Sequence, residues 1–529
     1  MSGFGDRLNQ RQKGFKKLAD AQDVRRKRED DAEVLRKQKR EETLQKKRHT
    51  NHAPLTISDI QIGVSSSQHW HVMEDLVQTL RNDCSPLDAQ FQAMQQLRQL
   101  LSVKWNAPIQ EVISTGILPR IVDFMKDMTR SELQFEAAWV LTNIVAGTAD
   151  QTLAVVEAGA LPVFINLLSS ANDYIQEKSV CALGNIAGDS SNLRDFVLQS
   201  GGLRPVINLV QETRRTSMRR NATWVLSNLC RGRPHPPLDW IAPSIPILAE
   251  LIFSADVEVL RDACWAFSFL CEGEHGSIEA VLQAGVCQRL VQLLTHESHL
   301  VQTPALRAVG SIATGNYKQT QTLLAHGALP LLFELLSHQE RTIQKEACWV
   351  VSNITAGNSD QIQEVINAGL IPIVIHLLER ADFDIKSEAA WVIGNATATC
   401  VPQQIEYLVQ CGCITPLVDV LSLADVTVID VALDALTNIL RAGQRQLQQR
   451  GLSENSIASL VEQAEGLTKI EALQDHPNEE IYEKARKILV RFFSAFEEDA
   501  LEDAAMDDSD GRRNESHFGV PVQSGGFHF

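Results

Sequence analysis

The chain has 529 residues, 44% of them hydrophobic, with a formal net charge of −17 at neutral pH. That apolar content suffices for a large buried core, yet no uninterrupted run of about 18 apolar residues marks a membrane span. The highly charged N-terminus leads us to expect no secretory leader, and the scattered cysteines, among them Cys84, Cys230, Cys264, Cys348 and Cys400, read as reduced thiols at core positions of an intracellular protein.

Residues 1–50 carry 16 Lys+Arg against 9 Asp+Glu, a net of +7, which leaves −24 on the remainder. The basic residues cluster as Arg25-Arg26-Lys27-Arg28, as Arg36, Lys37, Lys39 and Arg40, and as Lys46-Lys47-Arg48. Mixed signs, no proline between Phe15 and Arg48, and scattered Val34, Leu35 and Leu44 suit a helix that forms on a partner. Taken alone, such a run reads first as a nucleic-acid or localisation tail. A basic arm tethered to an acidic body is self-complementary, and that body argues against nucleic acid and for a basic ligand. Residues 51–73 read as a linker.

From residue 74 to 496 the punctuation repeats. Gly116-Ile117-Leu118-Pro119 returns as Gly159-Ala160-Leu161-Pro162, Gly327-Ala328-Leu329-Pro330 and Gly369-Leu370-Ile371-Pro372, with weaker copies at Gly201, Gly285 and Gly412. Glycine closes one helix and proline stands at the start of the next. With no period-2 runs the chain reads as all-α, a right-handed solenoid of about ten units, each too small to bury its own core. Residues 497–529 begin acidic, then turn polar and glycine-rich, and read as a disordered tail.

A pair of side chains rides on this repeat with a period of about 42 residues. Trp139/Asn143, Trp224/Asn228, Trp349/Asn353 and Trp391/Asn395 are the clean copies; Trp265/Phe269, Cys181/Asn185, Arg307/Ser311 and Asp434/Asn438 hold the same slots. Positions three and four residues away share a helix face. Around Trp349 these are Lys345, Glu346, Ser352 and Asn353, while Ala347, Val351 and Ile354 lie opposite. One such pair reads equally well as a half-buried tryptophan with a structural asparagine. Four in phase read as a ladder of identical groups on a receptor surface.

These motifs resemble the importin α family. The arm, above all Leu35–Glu42, resembles its importin-β-binding domain. Gln134–Asn143, Ala182–Asp189 and Asn221–Arg231 look like its armadillo repeats two to four, and Val301–Arg307, Lys345–Gly357 and Gly466–Leu473 extend the likeness. The resemblance implies an adaptor that binds Lys/Arg-rich nuclear localisation signals of cargo proteins in an extended conformation along a concave groove. It further implies passage to importin β through the arm, recycling by an export receptor with Ran-GTP, and shuttling between cytoplasm and nucleus.

By the same likeness the major site comprises Trp139, Asn143, Gly147, Thr152, Asn185, Asp189, Trp224, Asn228, Asp262 and Trp265. The minor site comprises Arg307, Trp349, Asn353, Glu388, Trp391 and Asn395. An asparagine amide can both donate to and accept from a peptide backbone. Indoles pack lysine and arginine stems and add a cation–π attraction of about 0.5–2 kcal/mol. Asp189 is the expected ammonium contact. Cys181 replaces a tryptophan, Ser311 an asparagine and Phe269 a tyrosine of the family pattern, so weakened binding or a shifted preference is expected.

Arg25, Arg26, Lys27, Arg28, Arg36, Lys37, Lys39 and Arg40 are the expected importin-β contacts. Lys46-Lys47-Arg48, where the family usually has Lys-Arg-Arg, looks like a localisation signal in cis that competes with cargo. No P-loop, dinucleotide fingerprint or nucleophile elbow occurs, and His296-Glu297-Ser298-His299 lacks the spacing of a zinc helix. No catalytic residue, cofactor, metal, nucleic acid or membrane partner is expected. The alternative, an armadillo scaffold for signalling or adhesion, would need a basic groove for acidic peptides, and this body is acidic.

Overall fold

The computed structural model describes residues 66–102, 107–273, 275–450 and 455–493. The basic arm, with every importin-β and autoinhibitory residue named above, lies outside them, as does the tail. Every regular element among the described residues is a helix. The first, Ser66–Arg81, begins eight residues before the expected start of the repeats.

One unit shows how the sequence makes the others. Asn358 caps the helix Ser359–Asn367: its side chain accepts from the Gln361 backbone N–H, and the Gln361 side chain accepts from the Asn358 N–H. Gly369, at φ 74°, makes the turn that a side chain would strain. The second helix, Leu370–Arg380, then leaves at 84° to the first. Pro372 sits in its first turn, where its missing N–H costs nothing. Leu370, Ile371, Val374, Leu377 and Leu378 face the core. The third helix, Phe383–Thr399, carries Trp391 and Asn395.

The described residues form two compact units, divided between Val163 and Phe164, inside the helix Ala160–Leu167. In the first unit the third-position helices Leu87–Leu101 and Ser131–Ile144 pack on each other. In the second, Asp173–Asp189, Thr216–Cys230, Val257–Cys271, His299–Ala313, Arg341–Thr355, Phe383–Thr399, Val426–Arg450 and Glu479–Phe492 pack each on the next. Ten third-position helices among the described residues agree with the expected number of repeats.

Two sets of glutamines hold these helices, and neither stood out in the sequence. Gln134, Gln176, Gln302 and Gln344 each donate Nε2 to a carbonyl at the end of the preceding second helix, those of Met125, Leu168, Leu294 and Leu336, at 2.7–2.9 Å. The capping glutamines reach across repeats: Gln361 Nε2 donates to the Tyr317 carbonyl and Gln404 Nε2 to that of Ser359, both at 2.8 Å, and Gln319 Nε2 to that of His275 at 3.0 Å. Each such amide accepts from an N-cap N–H in its own repeat and adds a bond to a first-turn carbonyl of the repeat before.

Most cysteines are core residues as expected, and burial pushes the Cys230, Cys264 and Cys413 thiols up to about 12. Cys84 is the correction: it is exposed, because it lies in the turn after Ser66–Arg81 rather than on a helix face. No single described helix is long and apolar enough to cross a membrane.

Gln361 is fully buried, so Gln361→Ala leaves the Asn358 N–H without its acceptor and removes the bond to the Tyr317 carbonyl of the repeat before. It should lower stability by about 1–3 kcal/mol in urea unfolding. An unchanged midpoint would show that the glutamines do not join the repeats.

Candidate functional site

In the unit beginning at Phe164, the indoles of Trp224 and Trp349 lie against a glycine of the preceding third helix. A Cβ added to Gly184 would meet Trp224 Cζ3 at 2.0 Å, and one on Gly310 would meet Trp349 Cζ3 at 2.1 Å. One turn further, Asn228 Nδ2 donates to the Gly184 carbonyl at 2.9 Å and Asn353 Nδ2 to that of Gly310 at 3.1 Å. Asn395 Nδ2 repeats the bond to Ser352 at 2.9 Å. The asparagines at 185, 228 and 353 are only 4–6% exposed.

This amends the expected role of the asparagines. One amide N–H is already spent on the neighbouring repeat, because a buried amide must be satisfied by the fold itself. The second N–H and the carbonyl oxygen retain the capacity to hold an extended backbone. The polar stripe is likewise mostly buried rather than solvated, with Glu346 4% and Glu388 9% exposed beside half-buried indoles.

The first unit shows the same design. Asn143, 2% exposed, donates Nδ2 to Ser102 Oγ at 3.0 Å. The Arg98 guanidinium stands 4.3 Å from the Trp139 ring centroid and is paired with Glu136, while Phe135 meets the indole edge-on at 5.4 Å. The second unit repeats this set: Arg307 lies 5.0 Å over the Trp349 ring and 3.2 Å from Glu346. The indole faces thus already carry guanidinium groups supplied by the chain. Arg98 was missed in the sequence, although it stands one repeat before Trp139 just as Arg307 precedes Trp349.

Gly147 and Thr152 belong to the first unit, Asn185 and Asp189 to the second. Thr152 is fully buried, its Oγ1 donating to the Val145 and Thr148 carbonyls at 3.2 and 3.1 Å, so its oxygen can only accept from a ligand. Thr320 repeats this geometry with Ala313 and Asn316, both at 3.3 Å. The signal was present: Gly147-Thr148-Ala149-Asp150-Gln151-Thr152 has its counterpart in Gly315-Asn316-Tyr317-Lys318-Gln319-Thr320. Asp189 is half-buried at the end of Asp173–Asp189, where its charge adds to the negative helix terminus. Asp262 is paired with its neighbour Arg261 at 2.8 Å, and Trp265 stacks on Phe269 at 5.6 Å.

Around Trp391 the charges are crowded. Burial pushes the Glu388 carboxyl up to about 7, against the pull of Lys345 and with the help of Glu346. Burial also raises Glu346, against Arg307, and lowers the Lys345 ammonium. Trp391 Nε1 is buried and has no acceptor among the described residues. Cys181 is half-buried in its slot on Asp173–Asp189.

Residues 106–146, 148–188, 190–231, 275–314, 316–356, 358–398 and 402–441 match the armadillo/beta-catenin-like repeat, and 455–508 an atypical Arm repeat. Residues 11–95 match the importin beta binding domain. Importin subunit alpha-2 of Arabidopsis thaliana is 49% identical, over 93% of this chain and 93% of its own length.

The chain belongs to the importin α family.

As a member of that family it is an adaptor of nuclear import. Importin subunit alpha-B of Dictyostelium discoideum is 50% identical over 92% of this chain and 94% of its own length. Among solved structures, an engineered protein aligns with a TM-score of 0.71 and 27% identity, over 79% of this chain and 98% of that one. Residues 232–274 fall between repeat matches, yet this importin α keeps there the helices Ile245–Leu251 and Val257–Cys271, with Trp265 in its slot.

Gly310→Ala should displace the Trp349 indole, since overpacking of this kind costs about 1–3 kcal/mol. The expected result is a lower midpoint in urea unfolding and a changed Trp fluorescence, with helical circular dichroism retained. An unchanged midpoint would show that the indole does not depend on the glycine contact.

Proposed function

We propose that this importin α holds Lys/Arg-rich localisation signals on its Trp/Asn rungs, at a major site around Trp139, Asn185, Asp189, Trp224 and Asn228 and a minor site around Trp349, Glu388 and Trp391. The observation that carries the reading is the repeated rung: an indole fixed on a glycine, an asparagine fixed on a carbonyl, and arginines 98 and 307 lying over indoles as a ligand's cations would. Gly147, Thr152 and Asp189 supply acceptors for a lysine ammonium, and Asp262 with Trp265 extends the major site. Arg307, Asn353 and Asn395 complete the minor one.

The chain organisation we propose is an arm of residues 1–50, a linker 51–73, a solenoid 74–496 and a tail 497–529. The arm binds importin β through Arg25–Arg28 and Arg36–Arg40, and its Lys46-Lys47-Arg48 competes with cargo until importin β captures it. The adaptor shuttles between cytoplasm and nucleus and is returned by an export receptor with Ran-GTP. Nothing in this role calls for a catalytic step.

A titration of a fluorescent Lys/Arg-rich peptide into three proteins tests the reading. Full-length chain should bind, the chain lacking residues 1–50 should bind about tenfold tighter if the tether presents the cis signal near 1 mM and that signal alone binds with a Kd of about 100 µM, and Asp189→Lys should lose most major-site binding. Equal affinity with and without the arm removes the autoinhibition, and undiminished binding by Asp189→Lys rejects the site.

The minor site should respond to pH. A cation binds the ionised form of Glu388, whose carboxyl lies at about 7. Affinity should therefore rise from pH 6 to 8 in an Asp189→Lys background and level off above. Glu388→Gln should flatten that profile, and a profile unaltered by the substitution would assign the pH response elsewhere.

A further inference from the structure

Seven residues, or two turns, before the indole of a third helix lies a position that the rungs leave unused. It is Glu132, Glu258 and Asp384 in the repeats of Trp139, Trp265 and Trp391, but Ser217 before Trp224 and Thr342 before Trp349. In the unit beginning at Phe164, the two acids at this position bind a guanidinium of the repeat upstream. Glu258 meets Arg220 at 2.6 Å, and Asp384 meets Arg341 at 3.3 Å. Arg220 stands four residues before its indole and Arg341 eight before its own. In the repeat upstream of Ser217, the same two places counted back from Cys181 hold Glu177 and Asp173.

The seam between Asp173–Asp189 and Thr216–Cys230 therefore has its charges reversed. Its base is Arg215, which pairs with Asp173 at 3.4 Å and with Glu177 at 3.3 Å. Glu177 is 7% exposed, so Arg215 holds a buried carboxylate that would be costly alone. The neutral Ser217 suits this arrangement. A negative group there would be set by the register against both acids and would compete for the cation they share.

The residues around Ser217 make such a group attainable. Arg214-Arg215-Thr216-Ser217 places two guanidinium groups three and two residues ahead of a hydroxyl, the spacing that basic-directed protein kinases read with paired carboxylates. Gln339-Glu340-Arg341-Thr342 lacks that pair. Arg214 and Thr216 are exposed, and Ser217 is half-buried. Arg215 is the N-cap of Thr216–Cys230, and its side chain makes no capping bond, so the first turn opens without breaking one. Met218, 1% exposed, anchors the helix beyond.

We propose that Ser217 is a phosphorylation site for a basic-directed protein kinase, and that its phosphate unfastens this seam. Ser217 Oγ attacks the γ-phosphorus of ATP, the bond to the β-phosphate oxygen breaks, ADP leaves, and the hydroxyl proton passes to the kinase's base. The product carries a charge of about −1.5 to −2. It draws Arg215 away from Asp173 and Glu177 and leaves a buried carboxylate facing a phosphate.

The test incubates full-length chain with ATP and a serine/threonine kinase that requires arginines two and three residues before its acceptor, and maps the product by mass spectrometry. Phosphate is expected on Ser217, at a rate cut about tenfold by Arg214→Ala, which removes one exposed guanidinium. No phosphate on Ser217, or a rate indifferent to Arg214→Ala, overturns the site. Urea unfolding reads the consequence. Phosphorylation should lower the midpoint of the parent, while Ser217→Ala treated with the same kinase should not shift. Glu177→Gln should lower the midpoint of the unmodified chain and raise that of the phosphorylated one, because the same carboxylate is first a partner of Arg215 and then a repelled neighbour. A midpoint unmoved by phosphorylation, an equal shift in treated Ser217→Ala, or a Glu177→Gln shift of one sign in both forms overturns the unfastening.

Discussion

The contact between an indole and a glycine one repeat upstream sets two rungs of the second unit, those of Trp224 and Trp349. An α-carbon without a side chain lets the ring of Trp224 lie on Gly184 and that of Trp349 on Gly310, closer than any other residue would allow. Once the ring is seated, the asparagine one turn later falls within reach of the same glycine's carbonyl. A single geometric device thus stacks the repeats and aligns a row of half-used amides and half-buried rings. The second donor and the oxygen of the Asn228 and Asn353 amides are what these bonds leave over.

Charge enters this surface under constraint. Glu136, Glu346 and Glu388 are buried carboxylates on the Trp-bearing helices, and the first two are neutralised by Arg98 and Arg307, which also cover the indoles of Trp139 and Trp349. A buried charge without a partner would be costly, so these acids are held by the chain's own bases. Burial outweighs the nearby cations at both Glu346 and Glu388, and it lifts the Glu388 carboxyl to about 7. A ligand's cation would restore the charge that the fold suppresses.

The periodicity of the sequence determined a great deal: an all-helical repeat, its turns at Gly159, Gly327 and Gly369, and the rungs from Trp139 to Asn395. Glycine followed by proline, and tryptophan one turn before asparagine, are local signals whose physics is complete within a few residues. The order of the rungs, and the substitutions at Cys181, Phe269 and Ser311, were equally plain. The family followed from the same motifs.

Only the tertiary structure decided how those residues are spent. Gly184 and Gly310 bear on indoles some forty positions away, and Gln319, Gln361 and Gln404 bond carbonyls a full repeat upstream. Arg98 meets Trp139 only because the third helices of the first unit pack side by side. Burial, too, is a property of the stack: it turned the polar stripe into a mostly enclosed surface, committed one donor of Asn143, Asn228, Asn353 and Asn395, and raised Glu388. A period names which residues recur, but contacts between repeats depend on packing distances that no single repeat encodes.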